Sequence, residues 1–223
     1  MEIEVLFEDT VILVCRKQAG IPTQTPKQGQ PDMVSLLRNY RAGKGEDTYI
    51  GLIHRLDQPV EGIMVFAKTK DAAANLSRQM REFGLEKQYL AVIEGKMEKE
   101  KATLIHYLLR DGRNNTTTCV SERVPAAKRG ELEYTVMEET EGESLLRIRL
   151  KTGRHHQIRV QMAEVGHPII GDKKYNKNAD QKRYLPLLLC SEHLEFHHPQ
   201  TGKVMRFFIK PTGEGFRKFQ TLE

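Results

Sequence analysis

Short apolar runs separated by turn-forming residues dominate the chain. Val5 to Phe7 and Val11 to Cys15 are split by Glu8-Asp9-Thr10, which predicts two strands joined by a tight turn. Gln18 to Pro31 is rich in Gly, Pro, Gln and Thr and reads as a loop, after which Met33 to Tyr40 resumes a helical pattern through Val34, Leu37 and Arg38. Ile63 to Ala67 is continuously apolar, as a strand covered on both faces is. Thr69 can cap a helix whose Ala72, Leu76, Met80 and Phe83 fall on one stripe. Further strands are predicted over Gln88 to Glu94, Thr103 to Leu109, Glu131 to Met137, Leu145 to Leu150, Leu187 to Leu194 and Val204 to Ile209, with exposed loops at Asn114-Asn115 and Asn176 to Asp180. Thr152 is a natural N-cap for a helix striped by Ile158, Met162 and Val165. The hairpin spacing predicts an α+β fold, a mixed and largely antiparallel β-sheet with flanking helices.

Length and charge narrow this picture. The chain has 223 residues, and residues 1–223 are expected to form one domain. Lys+Arg 35 against Asp+Glu 30 leaves a net charge of +5, compatible with a polyanionic partner. No apolar run approaches the roughly 18 residues of a membrane helix, and Met1-Glu2-Ile3-Glu4 lacks the basic start of a signal peptide, so a cytoplasmic protein without membrane contact is expected. Cys15, Cys119 and Cys190 contain no Cys-x-x-Cys pair and read as core or incidental thiols.

Several constellations could carry chemistry. In His54-Arg55-Leu56-Asp57-Gln58-Pro59, Pro59 stops any helix, so Asp57 is expected in a loop at the mouth of the buried strand. Alone, it is equally a turn aspartate with a surface ion pair. In Thr152-Gly153-Arg154-His155-His156-Gln157-Ile158-Arg159, a helix capped at Thr152 would place Arg154 in its first turn. A cation there is disfavoured by the macrodipole and calls for a carboxylate or phosphate nearby. Tyr89 and Ala91 share one strand face, ordinarily a packing position. His155 and His156 would lie about 100° apart on a helix, which suits no shared metal, and no His-Glu-x-x-His pattern occurs. No metal site and no cofactor are expected.

Taken in order, His54-Arg55-Leu56-Asp57 with Gly62, Lys87-x-Tyr89-Leu90-Ala91, and Thr152-Gly153-Arg154-x-His156-Gln157-Ile158-Arg159 resemble the RluA-type RNA pseudouridine synthases. The resemblance begins at Glu8-Asp9-Thr10 with Val11 to Gly20, and passes through His167-Pro168-Ile169-Ile170-Gly171-Asp172 to Leu194-Glu195-Phe196-His197-His198-Pro199. It implies the pseudouridine synthase catalytic fold, here in a short form without an S4-type RNA-binding domain. It further implies Asp57 as the catalytic aspartate, Tyr89 as the tyrosine stacked on the uracil, and Arg154 as the arginine paired with the catalytic carboxylate. Arg55 would replace the extruded base and Leu150 would contact the ring from beneath, with His54 and Arg159 also at the substrate. Gln58, Val60 and Glu61 depart from the family's usual residues, and Glu61 adds a negative charge near Asp57 that either faces RNA phosphate or points outward. The implied partner is RNA, ribosomal or transfer, and the implied state is a monomer.

The chemistry is compatible with one carboxylate. Isomerising uridine to pseudouridine breaks the bond from ribose to a base nitrogen and re-forms it to a base carbon, with no net redox or hydrolysis, so Asp57 can act as nucleophile or as partner to a sugar with oxocarbenium character. A stacked uridine must first be extracted from the RNA. The alternatives are a non-catalytic RNA-binding module of the same fold and a histidine-based metal hydrolase.

Overall fold

In the computed structural model, which describes residues 3–82, 85–177, 179 and 185–222, the chain forms two compact units, Met1–Lys87 with Ser191–Ile209 and Gln88–Cys190 with Lys210–Glu223. Both contain antiparallel sheet with helices, so the fold is α+β.

The first unit opens with β1 (Val5–Glu8) and β2 (Ile12–Lys17), joined by a turn in which Asp9 Oδ1 accepts the Val11 and Ile12 amides at 2.8 Å each. Strand β2 pairs antiparallel with β4 (Glu61–Ala67), running from Ile12 opposite Ala67 to Lys17 opposite Gly62. Every residue of β4 is buried, which accounts for its unbroken apolar run from Ile63. The short β3 (Gly51–Leu52) pairs the far end of β4, while β10 (Leu189–His197) lies beside β4 and carries β11 (Val204–Phe208) as a hairpin partner. Helix α1 (Met33–Gly43) starts from a capping box in which Asp32 accepts the Ser35 amide at 2.7 Å and Ser35 Oγ accepts the Asp32 amide at 3.0 Å. Helix α2 (Lys70–Glu82) is capped by Thr69, whose Oγ1 accepts the Ala72 amide at 3.2 Å, and it buries Ala72 and Leu76 with Met80 at the margin. Phe83, expected on the same stripe, lies outside the described residues.

Gly62 shows how tightly β4 meets β10. Its φ is +149°, and a Cβ there would come within 2.5 Å of the Ser191 Cβ and 2.7 Å of the Ser191 nitrogen. Backbone cannot retreat as a flexible side chain can, so Gly62→Ala should lower stability by about 3 kcal/mol or more. In a thermal melt this corresponds to a drop of about 6 °C or more.

The second unit is an antiparallel sheet in the order β5 (Glu86–Glu94), β9 (Glu143–Leu150), β8 (Lys128–Thr140), β6 (Lys101–Asp111), β7 (Thr116–Val120). The two strands absent from the periodicity reading, β3 and β7, are a two-residue pairing and a run of threonines without apolar alternation. Asn114-Asn115 forms the exposed tip between β6 and β7, whereas Asn176, expected in an exposed loop, is buried with its side-chain amide donating to Glu94.

Helix α3 (Gln157–Glu164) begins later than its sequence predicts. Thr152 does not cap it, because its hydroxyl accepts the Glu131 amide of β8 at 2.8 Å and donates to Gln157 Oε1 at 2.8 Å. Gln157 then accepts the Arg154 amide at 2.9 Å and donates to the Glu131 carbonyl at 3.0 Å. Tertiary hydrogen bonds thus stitch residues 151–154 to β8, and His156 turns the chain into the helix at a φ of +52°. The helix has no exposed stripe over its first six residues, since Gln157 to Met162 are all buried.

Candidate active site

Asp57 sits on a loop of the first unit that is held from several directions. His54, which opens it, is buried with its Nε2 accepting the Val65 amide of β4 at 3.2 Å. Burial, followed by the nearby charge of Lys87, holds His54 well below the usual histidine range, so the ring is neutral and its proton lies on Nδ1. His54 therefore anchors the loop rather than presenting a cation to a substrate. Leu56 is fixed by Thr23, whose Oγ1 accepts the Leu56 amide at 3.2 Å and donates to the Leu56 carbonyl at 2.8 Å. Gly20 and Gln58 bond reciprocally, the Gly20 amide to the Gln58 carbonyl at 2.8 Å and Gln58 Nε2 to the Gly20 carbonyl at 3.0 Å. The Val60 amide closes a turn on the Asp57 carbonyl at 3.0 Å. Between these anchors Asp57 is half-buried, and Arg55 is exposed with its guanidinium on Gln24 Oε1 at 2.9 Å.

Beneath the loop lies Lys17, fully buried, donating from Nζ to the carbonyls of Ile21 at 2.7 Å, Gln58 at 3.0 Å and Gln18 at 3.1 Å. Desolvation pushes its pKa down to about 7, and the charges of Asp57 and Glu61 counter part of that effect. Glu61 is itself buried, so its extra charge neither faces RNA phosphate nor points outward; it acts on Lys17. Lys17 escaped the sequence reading because a lysine ending an apolar strand looks like a solvent-facing terminus. The available signal was its place in an otherwise buried run just ahead of Gly20.

The depressed pKa has a consequence for stability. Between pH 7 and the ordinary lysine value of 10.5 the unfolded chain binds a proton at Lys17 that the folded chain does not, so this contribution is fully present above pH 10.5 and is lost as pH falls towards 7. Urea unfolding of the native protein from pH 7 to 9 should therefore show a stability slope steeper than that of Lys17→Met by up to about 1.4 kcal/mol per pH unit. Parallel slopes would remove the buried titration from Lys17.

In the second unit, Tyr89 is buried in β5 opposite Ile148 of β9. Strand alternation puts Leu150, half-buried at the end of β9, on the same face as Ile148, so Tyr89 and Leu150 belong to one surface. Arg154 follows on the stitched loop, exposed, with Nε donating to the Arg129 carbonyl at 3.0 Å. It stands ahead of α3 rather than in its first turn, so the macrodipole argument for a nearby anion does not apply.

Arg159, expected at the substrate, is turned inward. It is buried in a two-pronged pair with Asp172, Nε to Oδ2 at 2.7 Å and Nη2 to Oδ1 at 2.7 Å, with its guanidinium over the Tyr175 ring. His155 and His156 precede the helix instead of lying on it, and their rings stack with centroids 3.7 Å apart. His156 Nδ1 lies 2.6 Å from the Tyr175 hydroxyl, and burial together with Arg159 pushes its pKa down to about 2. Among the described residues no group of three or more His, Cys, Asp or Glu is placed to hold a metal ion. No helix among them is long and apolar enough to cross a membrane.

Comparison with known proteins decides what this arrangement belongs to. A model of the RNA pseudouridylate synthase family matches residues 11–164, which include the Asp57 loop, Tyr89, Leu150 and Arg154. The chain belongs to the RNA pseudouridylate synthase family. Within it, an uncharacterized RNA pseudouridine synthase of Bacillus subtilis, YhcT, is 37% identical, the match covering 78% of this chain and 58% of that protein. Ribosomal large subunit pseudouridine synthase C of Pasteurella multocida is 32% identical over 92% of this chain and 64% of its own length. The corresponding synthase C of Escherichia coli K12 is 32% identical over 96% and 68%. The chain thus spans about three fifths of the length of the first two relatives. The solved structure of human RNA pseudouridylate synthase domain containing 1 has a TM-score of 0.79 at 21% identity, covering 94% of this chain and 84% of that one. Human domain containing 4 gives 0.77 at 23% identity, covering 94% and 89%. At that identity these two support the pseudouridylate synthase fold.

Proposed function

We propose that this chain isomerises uridine to pseudouridine in structured RNA, with Asp57 as the catalytic carboxylate and the two units serving as one catalytic domain. The observation that carries the reading is the fixation of Asp57: its loop is tied to β4 by His54, to the preceding segment by Thr23 and Gly20, and to the buried amine of Lys17, while Asp57 itself is only half-buried. Catalysis by a single group depends on this kind of preorganisation. The names of the relatives favour ribosomal RNA as the substrate class.

In this reading Asp57 engages the sugar or base of an extruded uridine, Arg154 is the arginine that pairs with the catalytic carboxylate, and Tyr89 stacks on the uracil with Leu150 beside it. Stacking of this kind contributes about 1 to 3 kcal/mol per base. Arg55, exposed at the rim, enters the position that the uridine vacates. No cofactor is invoked, since the reaction conserves both oxidation state and atoms.

The test uses unmodified, in vitro transcribed large-subunit ribosomal RNA carrying tritium at uracil carbon five, with chelator present. Release of tritium is expected, with the modified position read by mapping the product. Binding of the RNA without release would identify a module that keeps the fold but not the turnover. Release only when metal is restored would overturn the metal-free mechanism. Mapping pseudouridines in cells with and without the protein separates ribosomal from transfer RNA.

A further inference from the structure

Two lysines of the first unit, Lys17 and Lys68, are buried and fully provided with oxygen. Lys17 has its three carbonyls. Lys68 Nζ meets Glu8 at 2.7 Å, Glu46 at 3.0 Å and the Asp9 carbonyl at 2.8 Å. Lys87 differs. It is half-buried near the start of β5, yet among the described residues its amine makes no hydrogen bond and no ion pair. Asp57 and Glu61 act on Lys17, whereas among the described residues no carboxylate acts on Lys87. Its charge acts on the neutral His54, which opens the Asp57 loop. Desolvation alone pushes the Lys87 pKa down to about 8, so at neutral pH the amine is still mostly charged.

Withdrawing a cation from water without an acceptor is costly in any protein, and such groups collect where a ligand supplies the missing partner. The position fits that account. Lys87 lies close enough to His54 to influence it, three residues before Asp57, and strand alternation puts it on the same face of β5 as Tyr89. A neutral carbonyl would leave the charge unbalanced, whereas a phosphodiester oxygen carries a permanent opposite charge.

We propose that Lys87 is a substrate-binding residue whose ammonium receives a backbone phosphate oxygen of the RNA nucleotide held at the Asp57 loop. This rests on the RNA reading above.

The experiment compares the full chain with Lys87→Met and Lys87→Arg, using single-stranded oligouridylate and the unmodified ribosomal transcript. Lys87→Met should bind oligouridylate about fivefold to tenfold more weakly, and its slope of log affinity against log salt should be shallower by about 0.7, the value for one phosphate contact on a single strand. Lys87→Arg should restore both. A readout independent of any variant is the ε-13C resonance of Lys87 in the native protein, whose titration midpoint should rise by about one pH unit or more when oligouridylate is added. An unmoved midpoint, or unchanged affinity and salt slope in folded Lys87→Met, would overturn the proposal. So would a lost turnover rate with an unchanged salt slope, which would assign Lys87 to the base or to packing. If the native protein binds RNA through Lys87 but releases no tritium, the isomerase reading fails and the phosphate contact stands. If turnover is intact and Lys87→Met is indistinguishable from native, the reverse holds.

Discussion

Asp57→Asn is expected to reduce tritium release by on the order of a thousandfold or more, while RNA affinity stays within a few-fold of the native protein. The substitution keeps the size, turns one accepting oxygen into a donating nitrogen, and removes the charge proposed to act on the reacting nucleotide. The loop should hold its shape, because Thr23, His54 and Gly20 reach it through Leu56, β4 and Gln58 rather than through the carboxylate. One secondary change follows: Lys17 loses one of the two anions that support its charge, so its pKa should fall further. Retained turnover in this variant would refute the role given to Asp57, and a loss of affinity parallel to the loss of rate would assign Asp57 to binding.

The second large effect concerns stability. Arg159→Met leaves the fully buried carboxylate of Asp172 without its cation, and breaking a buried pair by removing one partner costs about 3 to 5 kcal/mol. For a chain of this size that is a fall in melting temperature of about 6 to 20 °C. Asp172 Oδ1 also receives the Lys174 amide at 3.0 Å and the Tyr175 amide at 3.2 Å, so the turn that supports Tyr175 should loosen with it. RNA affinity per folded molecule should be unchanged. The opposite pattern, native stability with weakened RNA binding, would return Arg159 to the substrate contacts that the motif suggests.

What could be read from the sequence, and what could not, follows from the range of the interactions involved. Most strands, β3 and β7 excepted, and α2 were legible because local alternation, an apolar stripe and Thr69 all point the same way. Asp57 in a loop ahead of a buried strand was legible from Pro59 and the run after Gly62. The start of α3 was not, since Thr152 has good capping chemistry and only the presence of Glu131 on β8, distant in sequence, diverts its hydroxyl. The same limit hid the pairing of Arg159 with Asp172 and the burial of Glu61, each decided by a neighbour that no periodicity reveals. Motif order points to the His54 loop and to Arg159, but a motif does not state whether a side chain faces a ligand or the core.

The reciprocal bonds between Gly20 and Gln58, and between Thr23 and Leu56, make the segment before α1 and the Asp57 loop open as one cooperative unit. Neither can swing as an independent flap, since releasing one also strips Lys17 of its carbonyls. In amide hydrogen exchange, Gly20, Leu56 and Val60 should share a single opening free energy, set by the breaking of the whole cluster. Under the proposed isomerase reading, a loop this stiff would leave the adaptation to the nucleic acid, so uridines would be sorted by how readily their surrounding RNA deforms.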